Sequence, residues 1–139
     1  MQISHVSLTE ALDLFYKKDV WIDLEIDPQS EKLILGGLVV ADIDHQTFYA
    51  LNFSKNDLKI IIQILGQAKQ VCGHNILAFD LLWLKQHTPY HLSIDDICRS
   101  KALDTLLLTN LIFPHQPSHS LLKLYKVKNT INDPIYDCI

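Results

Sequence analysis

Apolar and polar residues alternate along Ile22-Asp23-Leu24-Glu25-Ile26, at the end of the apolar run that starts at Val20-Trp21, the period of two that marks a β-strand with one face buried. In such a strand Val20, Ile22, Leu24 and Ile26 share one side, and Trp21, Asp23 and Glu25 share the other. Strands are predicted over about 20–26, 33–41 and 46–51, joined through Asp27-Pro28-Gln29-Ser30 and Asp42-Ile43-Asp44-His45. Connections this short make an antiparallel meander. Before it, Ser7-Leu8-Thr9-Glu10 is a capping-box pattern opening a helix whose apolar stripe is Ala11, Leu12, Leu14 and Phe15. After it, Ser54-Lys55-Asn56-Asp57 opens a helix to about residue 69, with Leu58, Ile61, Ile62 and Leu65 on its inner face. Val71-Cys72 reads as a brief buried strand broken by Gly73, and 76–87 as a helix. A short strand is expected over 98–103, then a helix over 105–112 capped by Asp104. Pro114, Pro117 and Ser118 form a loop before a short helix over 119–125. No linker, repeat or low-complexity tract divides the chain, so residues 1–139 are expected to form a single α/β domain.

Composition narrows the classes. At 139 residues, 48% hydrophobic and 20% charged, the chain suits one globular domain with a real core. No stretch is long and apolar enough to span a membrane, and the N-terminus lacks the basic and apolar regions of a signal peptide. Three cysteines without a Cys-x-x-Cys pair indicate neither a disulfide framework nor a zinc site, which fits a reducing cytoplasm. A net charge of −4 argues against a general nucleic-acid coat but leaves room for a local basic groove.

Candidate chemistry starts with the acids. Placing Asp23 and Glu25 side by side in an apolar strand costs desolvation and mutual repulsion, and a hard divalent cation held by oxygen ligands would offset that cost. The plain alternative is a polar strand end whose acids face water. A third acid, Asp80, closes the run Gly73-His74-Asn75-Ile76-Leu77-Ala78-Phe79-Asp80 near the start of a helix. The helix dipole favours an acid there whether or not it has another duty.

Taken together, the Asp-x-Glu of the first predicted strand, the Gly-His-Asn-x-x-x-Phe-Asp run and Leu103-Asp104-Thr105-Leu106 resemble the DnaQ-like, or DEDD, 3′–5′ exonucleases. The likeness covers most of the chain, from about Val20 to Asp137. The stretch from Leu103 through Phe113-Pro114, Ser118-His119-Ser120-Leu121 and Asn132-Asp133-Pro134 also looks like the exonuclease-type domain fused to some bacterial RecQ-type helicases. The resemblance implies an RNase H-like three-layer fold, a mixed sheet with three antiparallel strands and flanking helices. It implies that Asp23, Glu25, Asp80 and Asp137 are catalytic and hold two Mg²⁺ or Mn²⁺ ions. It further implies that Leu24, His74 and Asn75 contact substrate, and that the substrate is a single-stranded DNA 3′ end, or less favourably RNA.

The third motif departs from the family pattern. A base is expected five or four residues before the last acid, as His or Tyr; here those positions hold Asn132 and Asp133. Asn cannot take a proton from water near neutral pH, and Asp133 suits the N-cap of a helix starting at Pro134. The expectation is a metal cage with slow chemistry, in a domain truncated in its C-terminal helix and prone to homodimerise through the uncovered surface. The alternative function is a catalytically degenerate nucleic-acid-binding or docking module of a larger helicase or repair protein. A flavodoxin-like cofactor domain is disfavoured because no Gly-rich phosphate loop follows the first strand.

Other residues read both ways. Asn75 beside His74 fits a turn as well as a nucleotide contact. Trp21 and Trp83 are candidates for base stacking, although their apolar surroundings favour core positions. Lys123, Lys126 and Lys128, interleaved with Tyr125, form a basic stretch that could track a phosphate backbone but fits a solvated helix face better.

Overall fold

The structure, a computed structural model, describes residues 2–115. Asp137, Asn132, Asp133, the 119–125 and C-terminal helices, Cys138 and the lysines of the 123–128 stretch lie outside the described residues. The elements in chain order are β1 (Gln2–His5), α1 (Leu8–Leu14), β2 (Asp19–Ile26), β3 (Leu33–Asp42) and β4 (Thr47–Phe53). A 3-10 turn (Lys55–Asp57) then leads into α2 (Leu58–Gln67), β5 (Gln70–Gly73), α3 (Asp80–His87), α4 (His91–Ser100), β6 (Ala102–Asp104) and α5 (Thr105–Ile112). The architecture is α/β, and among the described residues it is built on one six-stranded mixed sheet in the order β1-β4-β3-β2-β5-β6. β2, β3 and β4 are the antiparallel meander; β5 and β6 extend it in parallel beyond β2.

The period of two in β2 sorts its side chains as the pattern requires. Val20, Ile22 and Leu24 are buried in the larger core, where helix residues such as Phe15, Ile61, Leu65, Leu84 and Ile94 pack against the same face of the sheet. Trp21 joins Val39, Ala50 and Phe48 in a smaller cluster. Asp23 and Glu25 continue the alternation of Trp21 and are partly buried. The register between β2 and β3 shifts between Glu25 and Ile26. Such bulges bend and twist a strand locally.

The sequence pattern predicts no strand at Gln2–His5, yet this segment pairs in parallel with β4 and gives the sheet one strand more than expected. The pattern predicts no helix at 91–100, where α4 buries Ile94 and Ile97; the short strand expected over 98–103 therefore begins only at Ala102. The helix expected from 76 starts at Asp80, because the preceding residues form a tight turn. Capping was legible: Ser7 and Glu10 close a capping box on α1, and Asp104 caps α5.

Two features of the surface stand out. Leu107, Leu108, Leu111, Ile112 and Phe113 are exposed, so α5 presents an apolar surface. No helix among the described residues is long and apolar enough to cross a membrane.

Candidate active site at the carboxyl edge of the parallel strands

β2, β5 and β6 run in the same direction, and each brings chemistry to its carboxyl end: Asp23 and Glu25 from β2, the His74–Asp80 turn after β5, and Asp104 from β6. In open α/β sheets ligands bind outside the carboxyl ends of the strands.

The register between β2 and β5 ends at Trp21 opposite Cys72. The Leu24 amide lies past that ladder, and Asp80 Oδ2 accepts its hydrogen bond at 2.8 Å. The first residue of α3 is thereby tied to the residue between Asp23 and Glu25. Asp80 is 2% exposed. Burial pushes its carboxyl up to about 7; the Leu24 amide opposes that shift, while the charges of Asp104 and Glu25 add to it. A buried acid beside other acids is the electrostatic signature of a functional carboxylate site.

Asp104 organises the turn before α3. Its carboxylate accepts the amides of Asn75 at 2.8 Å, Leu77 at 3.1 Å and Leu106 at 3.0 Å. The last bond caps α5; the first two hold the 75–77 segment. Asn75 adopts a left-handed backbone with φ of 60°, a conformation that Asn tolerates better than most residues. Gly73 is demanded by close packing: a Cβ there would meet Ile76 and lie 2.8 Å from the Ile22 carbonyl.

His74 is fixed as well. The Thr105 hydroxyl donates to the Gly73 carbonyl at 3.3 Å and lies 2.9 Å from His74 Nδ1. His74 Nε2 is buried and makes no hydrogen bond among the described residues. The Leu24 side chain is 3% exposed, in the larger core. Cys72 is no competing nucleophile, because burial pushes its thiol up to about 11, helped by the Asp19 charge.

Asp23, Glu25 and Asp80 would offer a cation only oxygen ligands, the kind Mg²⁺ and Mn²⁺ take, and a cation near Asp80 would favour its ionised form. Among the described residues no group of three or more His, Cys, Asp or Glu side chains is gathered closely enough to hold an ion as it stands. The structure thus joins Asp80 to the Asp23–Glu25 strand and places His74 and Asn75 in the turn between them, while Asp137 lies outside the described residues. The sequence marks Asp104 as a cap before Thr105 and as part of the Leu103–Leu106 run of the resemblance, but neither signal shows its reach to the amides of Asn75 and Leu77. No family model, no curated protein and no solved structure matches the chain.

Proposed function

We propose that the chain is a metal-dependent 3′–5′ exonuclease of RNase H-like fold, acting on single-stranded DNA with RNA as the less favoured substrate. The observation that carries this reading is the Asp80–Leu24 bond, which joins a buried third acid to the Asp-x-Glu strand at the carboxyl edge. The antiparallel block β2–β4 with its flanking helices is the architecture the resemblance implies, and supports the same reading.

Asp23, Glu25 and Asp80 would hold divalent ions, with Asp137 as the fourth acid. When bound, the ions supply an activated water and offset charge on the departing 3′ oxygen. The chain's own residues do the positioning. The Leu24 amide orients the Asp80 carboxyl, and Asp104 fixes the turn that carries His74 and Asn75. His74 and Asn75, carried by that turn, are the candidate contacts to a terminal nucleotide. Asn132 supplies no base, so turnover is slow. The implied partners are single-stranded 3′ ends and a fused or associated helicase.

The test is a gel assay of 5′-labelled single strands with Mn²⁺, on the chain and on a version extended beyond residue 139. The reading expects a ladder shortening from the 3′ end that Asp23→Ala abolishes. It also expects Asn132→His to speed cutting, since general-base catalysis contributes about 10²–10⁴-fold. Strand binding without cutting in every variant would instead establish the docking-module alternative.

A further inference from the structure

Away from the acids, the loop between β2 and β3, the start of α2 and the end of α3 enclose a cavity of about 420 Å³, within the range of about 300–1,000 Å³ common for small-ligand sites. Its described lining includes none of Asp23, Glu25, His74, Asn75 or Asp80. Three of its lining residues are Lys32, Lys55 and Lys59, against one carboxylate, Glu31. That is a local positive excess in a chain carrying 12 Lys and Arg against 16 Asp and Glu. Its aromatic side comes from Trp83, His87 and Tyr90.

The aromatic side is prearranged. The Trp83 and His87 rings stack with centroids 4.6 Å apart and planes 10° apart. Trp83 Nε1 donates to the Glu31 carbonyl at 2.9 Å, tying α3 to the loop. The loop is itself braced by Asp27, which accepts the Gln29 amide at 3.0 Å and the Ser30 hydroxyl at 2.8 Å. The lining thus combines three aromatic residues with three lysines, and the outer part of the stacked pair is His87, whose Nε2 lies 3.6 Å from the Glu31 carboxylate. Planar bases stack on aromatic rings whatever their identity, and lysines recognise phosphate as point charges.

We propose that this cavity binds a nucleotide, its base against the Trp83–His87 pair and its phosphate among Lys32, Lys55 and Lys59. The site is separate from the acid edge and does not rest on the exonuclease reading. Both a free mononucleotide and one residue of a single strand carry this chemistry.

Intrinsic fluorescence tests the assignment. The chain has two tryptophans, so Trp21→Phe leaves Trp83 as the reporter. In excess chelator, AMP should quench it saturably, while adenosine alone and inorganic phosphate alone bind at least about fivefold more weakly. Lys55→Gln combined with Lys59→Gln, both at exposed positions, should weaken AMP at least about fivefold and leave adenosine unchanged. Trp83→Leu, followed by calorimetry, should weaken it about five- to 150-fold, the usual worth of a stacking aromatic. A 3′-blocked oligothymidylate binding at least about tenfold tighter than TMP assigns the site to a strand; equal affinities assign it to the free nucleotide. Chelator and Asp23→Ala separate this site from the acid edge, since neither should change AMP affinity. Absence of saturable quenching by every nucleotide, or AMP affinity indifferent to the two lysines, overturns the proposal.

Discussion

Asp80 Oδ2 and the Leu24 amide meet at 2.8 Å although 56 residues separate them in the chain. This bond joins the start of α3 to the strand carrying Asp23 and Glu25 at the point where β5 has left the sheet ladder. It satisfies a backbone donor that would otherwise be orphaned, and it draws a carboxyl into a site where ionisation is unfavourable.

The consequence is a pH-dependent stability. The Asp80 carboxyl lies at about 7 when folded, against an ordinary value of 3.8, so between those limits the folded state binds the extra proton. Stability from this group is full below the ordinary value and is lost as pH rises through about 7. Each pKa unit corresponds to about 1.4 kcal/mol. Urea unfolding in chelator should therefore show a loss of up to about 3 kcal/mol from pH 5 to pH 8. Asp80→Asn, which keeps an acceptor for Leu24, should flatten that slope.

Removing the Asp104 carboxylate leaves the amides of Asn75, Leu77 and Leu106 without their acceptor. Asp104→Ala should cost about 2–4 kcal/mol, given about 0.5–2 for a lost cap and about 1–3 for a buried donor left unsatisfied. Amide hydrogen exchange at Asn75 and Leu77 should accelerate more than exchange in β2. Uniform acceleration would mean that Asp104 contributes only global stability.

Gly73→Ala places a methyl group against Ile76 and the Ile22 carbonyl. Overpacking of this kind costs about 1–3 kcal/mol. A shift in denaturation midpoint measures it, and a smaller cost would show that the turn after β5 can open.

What the sequence reveals depends on how local each cause is. The strand at β2 is legible because its last five residues alternate after an apolar start, and that alternation alone puts Asp23 and Glu25 on one face. The caps at Ser7 and Asp104 are legible because each is read within a few residues. β1 escapes because Gln2-Ile3-Ser4-His5 has little apolar content and is held by pairing with the distant β4. α4 escapes because its apolar residues are few and uneven: Ile94 and Ile97 are buried while Leu92 is exposed. At the site, the acids could be named, but not the amide that Asp80 grips or the turn that Asp104 holds, since both span dozens of residues. The nucleotide cavity was hidden similarly: its lysines and aromatics come from three separate segments.

The central claim is that Asp23, Glu25 and Asp80 act as one cation site. Calorimetric titration with Mn²⁺ tests it most directly, on wild type, Asp23→Asn, Glu25→Gln, Asp80→Asn and, for comparison, Asp104→Asn. Loss of a ligand should cost more than the roughly 10–100-fold typical of a supporting residue, so each of the first three changes should weaken binding at least about 100-fold, with Asp104→Asn costing less. Mn²⁺ affinity unchanged by Asp80→Asn, or no Mn²⁺ binding by the wild-type chain, would contradict the account.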